Sequence, residues 1–155
     1  MKALVVYYSR TGNTRKAGED IARSLKCDSE EIIDRKGRGG PLGYLSAGKA
    51  AQKKELTEIG PLQKDPAKYD MVIIGTPIWG SSLSCATRTY LSENKSKFKK
   101  VAFFCTAGGG SNGSAFKDME EVCGKSPKAT LELAAKEVAE GEHIQKVQTF
   151  AKKLA

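Results

Sequence analysis

The run Met71-Val72-Ile73-Ile74 is apolar at every position. A strand with one wet face alternates polar and apolar residues. One that is apolar throughout is covered on both faces, the condition of a central strand in a parallel sheet. Residues 2–8 and 101–104 repeat the pattern, and 29–34, ending in Ile32-Ile33, is a weaker version of it. Helical spacing fills the intervals. Ala17, Ile21, Ala22 and Leu25 mark a helix over 13–25, and Ile144, Val147, Phe150, Ala151 and Leu154 mark another that begins near Glu142. Further helices are predicted over 44–53, with Tyr44, Leu45 and Ala51 on one side, and over 83–93 and 114–122. Residues 55–69, which hold Pro61 and Pro66, read as irregular.

Residues 128–140 are contested. Leu131, Glu132, Leu133, Ala134 and Ala135 favour a helix locally. The alternation of strands and helices asks instead for a fifth strand, placed at 129–134. The resulting order alternates strand and helix throughout. It predicts an α/β domain: a parallel sheet joined by right-handed crossovers, with helices on both faces. At 155 residues the chain suits one domain, and no repeat or linker divides it.

Composition narrows the function classes. With 39% hydrophobic and 28% charged residues the chain can bury a core. The apolar run at 3–8 is too short for a signal-peptide core or a membrane span, so a cytoplasmic location is expected. Cys27, Cys85, Cys105 and Cys123 form no Cys-x-x-Cys pair and His143 is the sole histidine, so a zinc site is unsupported. Four reduced thiols are the expectation, and a structural disulfide is the alternative. The net charge is +8, with lysines mostly scattered. That balance suits acidic partners, phosphate ligands or nucleic acid without singling one out, and scattered lysines read best as a solvated surface, so no nucleic-acid partner is expected. The denser, glycine-rich stretch at 35–40 could touch RNA, although a surface loop is the better reading.

In sheets of this kind, ligands bind beyond the carboxyl ends of the strands. The loops to search are 9–14, 76–82 and 106–113. In the first, Ser9, Thr11, Asn13 and Thr14 offer side-chain donors and Gly12 lets the backbone turn tightly, with Arg10 nearby. A helix start supplies free N–H groups and the positive end of a dipole, which suits a phosphate monoester. An ordinary cap by Thr11 or Asn13 is the competing reading. The ATP-type pattern Gly-x-x-x-x-Gly-Lys-Ser/Thr is missing.

Thr76-Pro77-Ile78-Trp79-Gly80 follows the clearest strand and reads as a loop, since proline cannot serve inside a central strand. Its Trp79 could stack on a flat ligand or pack on its own domain. Thr106-Ala107-Gly108-Gly109-Gly110 opens the third loop, whose backbone can approach a ring edge closely. Gly108 to Gly113 also spells Gly-x-Gly-x-x-Gly, with Glu132 near the acidic position of a dinucleotide site. Too little chain follows to build that unit.

The stretch from Tyr7 to Thr14 resembles the FMN phosphate loop of the flavodoxin family, Thr/Ser-x-Thr-Gly-x-Thr, at the position that family requires. Thr76 to Gly80 is similar to the loop that lays an aromatic ring on the flavin. The resemblance implies a flavodoxin-like three-layer sandwich whose five-stranded parallel sheet has the order 2-1-3-4-5. It implies one non-covalent FMN, with its phosphate in 9–14 and its ring between 76–80 and 106–113, where Thr106, Ala107, Gly108, Gly109 and Gly110 would contact it. Trp79 would cover one face, and the Gly80 carbonyl would turn toward flavin N5 when N5 is protonated. Many flavodoxins place a tyrosine in the third loop, whereas none stands between Thr106 and Ala115 here, and Phe116 is the nearest aromatic. An open outer face leaves three expectations in play: an electron carrier with an acidic redox partner, an FMN-dependent NAD(P)H or quinone reductase, and a non-redox binding domain of the same fold. The segment 35–54 departs from the family pattern, as does the positive charge.

Overall fold

The strongest apolar runs become the middle of a sheet, and a computed structural model describes it through residues 1–36, 40–108 and 113–155. The strands are β1 (Ala3–Tyr8), β2 (Asp28–Ile32), β3 (Met71–Trp79), β4 (Ser82–Leu83), β5 (Lys100–Ala107) and β6 (Thr130–Ala134). The helices are α1 (Asn13–Leu25), α2 (Gly40–Gln52), α3 (Cys85–Asn94), α4 (Ala115–Cys123), α5 (Ala135–Ala139) and α6 (Ile144–Leu154). Five strands pair in parallel in the order β2-β1-β3-β5-β6, which is the predicted 2-1-3-4-5, and β4 adds an antiparallel flap to β3.

Alternation along the strands divides the core in two. Leu4, Val6, Tyr8, Val72 and Ile74 point to the side of α3 and α4, where Tyr90, Leu91 and Met119 meet them. Ala3, Val5, Tyr7, Met71 and Ile73 point to the side of α1 and α6, where Ile21, Val147 and Phe150 close the layer. Each fully buried side chain of this size contributes roughly 1.5–3 kcal/mol. On the second side, His143 adds a polar tie: its buried ring lies 2.7 Å from Asp20 Oδ2 on α1.

Three expectations need correction. Residues 76–79 are strand, not loop. β1 ends its pairing at Tyr7↔Gly75, while β3 runs on beside β5 to Pro77↔Thr106. Past Gly75 the strand has lost one neighbour, so a proline without an N–H is tolerated there. Thr106 and Ala107 are likewise the last residues of β5, paired with Leu133 and Ala134. In α2, Leu45 faces solvent and the buried residues are Ala47, Ala50 and Ala51; the Tyr44 side chain lies outside the described residues.

Residues 130–134 are strand despite their helical propensity, because pairing with β5 from Phe103↔Thr130 onward outweighs a local preference. The helical tendency survives just downstream in α5, which the sequence reading did not separate. The cysteines are free thiols. Burial pushes Cys27 up to about 11 and Cys105 up to about 12, which leaves both unreactive near neutrality. Among the described residues no helix is long and apolar enough to cross a membrane, and no cluster of three His, Cys, Asp or Glu could hold a metal.

Candidate functional site

β1 delivers the chain to Ser9 at the carboxyl edge of the sheet, where it must reverse into α1. Gly12 makes the reversal at φ +107°, a conformation that a side chain would strain, and it, rather than the Thr11 or Asn13 of the competing cap reading, is the N-cap of α1. The Gly12 N–H donates to Ser9 Oγ over 3.1 Å. No side chain caps α1, and its first turn carries no carboxylate. The positive end of the helix dipole therefore meets no negative side chain of its own first turn, which suits an anion. Arg15 is not part of this arrangement: its guanidinium grips Glu31 at 2.9 and 2.8 Å. Thr11 is exposed at the tip of the loop, Arg10 and Asn13 are half-buried, and Thr14 points inward.

The Thr14 hydroxyl meets the Thr106 hydroxyl 2.7 Å away, inside the protein. This bond ties the first loop to the end of β5. It also means that the Thr14 hydroxyl is already engaged, while Thr11 is the exposed hydroxyl-bearing residue of the loop.

At the second loop, β3 and β4 form a two-residue hairpin with Trp79 opposite Ser82. Its central residues, Gly80 at φ +54° and Ser81 at φ +63°, are both left-handed, the hallmark of a type I′ turn. Trp79 is only 7% exposed, and its ring meets that of Tyr8 edge-on, centroids 5.4 Å apart. Thr76 is buried and braces the hairpin: its hydroxyl donates to Pro77 O and accepts from Ser84 N. Pro77 and Ile78 are half-buried. The C-terminal end of α2 passes over the turn so closely that a Cβ at Gly80 would lie 2.6 Å from Gln52 Cγ.

At the third loop, Thr106 and Ala107 are buried and Gly108 is exposed. Gly109 and Gly110 lie outside the described residues. Phe116 belongs to α4 and stacks on Phe103, 6.5 Å between centroids.

A polar network beneath the second and third loops escaped the sequence reading. Arg88 on α3 and Asp118 on α4 are buried, with Nη2 3.8 Å from Oδ2. Arg88 also donates to Ser82 Oγ over 3.3 Å, and the Ser82 and Ser114 hydroxyls donate to Asp118 over 3.4 and 3.2 Å. The Ser114 N–H donates to Ser81 O, joining the hairpin turn to the start of α4. Burial holds the Arg88 guanidinium below its usual pKa, with Asp118 opposing the shift. A trace was present in the sequence. Asp118 stands three residues after Ala115, on the buried face of an amphipathic helix where a charge demands a partner.

The described parts of the three searched loops thus meet at one edge of the sheet, held together by Thr14–Thr106 and Ser81–Ser114. Compared by sequence, the chain matches no family model and no curated protein. Compared by structure, it is similar to a flavoprotein from Lactobacillus acidophilus NCFM solved in complex with FMN, at 26% identity and a TM-score of 0.74, covering 90% of this chain and 97% of that one. It is similar to oxidised flavodoxin 1 from Bacillus cereus at 16% identity, TM-score 0.63, covering 99% and 96%. Two-electron reduced flavodoxin from Megasphaera elsdenii matches at 20% identity, TM-score 0.62, covering 99% of each chain.

Proposed function

We propose that this chain, which has the flavodoxin-like α/β fold, binds one FMN and passes electrons through it. The observation that carries the reading is the α1 start: a left-handed Gly12 and a helix end with neither a side-chain cap nor a first-turn acid, at the carboxyl edge of a parallel sheet. A phosphate monoester supplies the missing negative charge. The residues fit that group. Ser9, Arg10, Thr11, Gly12, Asn13 and Thr14 would surround the phosphate, Thr11 by its hydroxyl and Gly12 to Thr14 by their amides. Pro77, Ile78, Trp79 and Gly80 would border the ring on one side and Thr106 to Gly110 on another.

Bound FMN supplies reversible one- and two-electron chemistry, and the protein orients and shields it. Apolar walls penalise negative charge on the reduced ring and lower its potential. The +8 charge works the other way, so the second reduction is expected to be less negative than in an acidic carrier. The partner expected for such a surface is acidic.

A reductase acting on NAD(P)H or a quinone is the second reading, favoured by the third loop, which has no tyrosine to cover the outer face. Titration of the purified protein with FMN tests the binding. The expected result is a yellow complex whose Trp79 fluorescence is quenched, and a protein that stays colourless overturns both readings. Steady-state turnover with NAD(P)H and quinones separates them: a carrier shows little.

A further inference from the structure

Helix α2 lies inside out. It buries its small residues, Ala47, Ala50 and Ala51, while Leu42 is 82% and Leu45 63% exposed. Three residues apart, the two leucines share one face, and they line a groove of about 460 Å3 with Lys36, Lys49 and Lys53. Glu55 is the one acidic residue among the described residues that line it. Ile33 and Leu56, which flank the helix in sequence, are exposed too, so among the described residues four of the six exposed large hydrophobics fall within residues 33–56. A surface helix ordinarily turns its leucines inward. A cluster of outward leucines rimmed by cations has the make-up of an interface: an apolar centre with a charged rim.

We infer that this face of α2 is the docking surface for an acidic redox protein, a proposal that rests on the FMN reading for its purpose. Charge complementarity selects an acidic partner, and the apolar centre selects one with apolar side chains to fill the groove. Position gives the docking its use. The far end of α2, at Gln52, abuts Gly80, so a protein seated on α2 stands beside the turn that would border the flavin. An anionic membrane is a poorer match, because membrane-bound helices bury a broad apolar face, whereas α2 offers two leucines flanking a concave groove. A nucleic acid would meet the lysines but leave the leucines without a role.

The test uses the full chain loaded with FMN and a plant-type [2Fe–2S] ferredoxin, an acidic one-electron carrier, as the probe. Each reduced ferredoxin loses one electron and the flavin gains it. Two double variants are compared with the parent, Leu42→Ser/Leu45→Ser and Lys49→Glu/Lys53→Glu; all four side chains are exposed, and none belongs to the proposed flavin loops. Calorimetry gives ferredoxin affinity with and without FMN, stopped-flow absorbance gives transfer rates, and FMN affinity is measured alongside. Both variants are expected to keep FMN affinity and to weaken ferredoxin binding, with the charge reversal slowing transfer on the order of tenfold at low salt. Ferredoxin binding that neither variant changes, or no binding at all, overturns the proposal. So does selective loss in the variants of binding to phosphatidylcholine vesicles carrying phosphatidylserine, without any effect on ferredoxin. A protein that binds ferredoxin through α2 yet takes up no FMN sinks the flavin reading and leaves the docking surface standing.

Discussion

Arg88 and Asp118 face each other between α3 and α4, Nη2 3.8 Å from Oδ2, with both side chains less than one-tenth exposed. The pair is under-supplied with partners, since the Arg88 Nε is buried and makes no hydrogen bond. A buried pair of this kind is costly to break and cheap to replace. Asp118→Ala leaves a buried guanidinium uncompensated and should cost about 3 kcal/mol in urea denaturation. The double change Arg88→Met/Asp118→Leu should recover most of that loss. Because Asp118 also receives Ser82 and Ser114, Asp118→Ala should loosen the second and third loops and weaken FMN binding. A double variant no more stable than Asp118→Ala would show that the network, rather than the charge, sets the cost.

The Thr14–Thr106 bond makes a related prediction at the other side of the site. The two hydroxyls lie 2.7 Å apart and both residues are buried, so removing either strands the other. Thr106→Val alone should cost about 1–2 kcal/mol, while Thr14→Val/Thr106→Val, which removes both polar groups, should cost less than the two single changes added together. Additive single effects in a double-mutant cycle would mean that the two hydroxyls do not depend on each other.

Much of this could be read from the chain, for physical reasons that differ by element. β1, β3 and β5 were legible because a strand buried on both faces is apolar throughout. β6 was legible from topology against propensity, as Leu131, Leu133 and their neighbours pair with β5. The extension of β3 through Pro77 was not legible, because it depends on where β1 stops, a fact of register that sequence does not print. The β3–β4 hairpin was hidden by its turn: Gly80-Ser81 holds two left-handed residues, but the serine carries no usual signal for one. The site loops were legible as positions, but not the inward turn of Thr14. A hydroxyl at a helix start is equally suited to phosphate or to a neighbouring loop, and only the approach of Thr106 decides. Glycine and proline crowd the start of α2, so Leu42 reads as loop from sequence, and Leu45 groups with Ala51, which the helix instead buries while Leu45 faces out.

Trp79 separates packing from ligand contact. Its indole is buried against Tyr8, so truncation must disturb the local core whatever else it does. Trp79→Ala should weaken FMN binding by roughly 1–3 kcal/mol, the range for loss of a stacked aromatic partner, and should also lower thermal stability. Trp79→Phe keeps an aromatic face and should restore a large part of the FMN affinity. If Trp79→Ala destabilises the fold but leaves FMN affinity unchanged, the ring is a core residue and the stacking assignment fails.

The start of α5 carries a pH dependence whose sign can be worked out. The Glu137 carboxylate accepts the Ala134 N–H over 2.8 Å and the Lys146 ammonium over 3.1 Å. The backbone bond, followed by Lys146, holds its pKa below the ordinary 4.5. A carboxyl group whose folded pKa lies below its unfolded value favours folding when ionised. Its contribution is therefore fully present above the ordinary value and is lost as pH falls through the lower folded one. Glu137→Gln keeps the shape of the side chain and an acceptor but removes that charge. The variant should be less stable than the parent near neutrality, and the two melting temperatures should converge as the pH drops below the ordinary glutamate range. A gap that stays constant through the acid limb would mean that the hydrogen bond to Ala134 holds α5 without help from the charge.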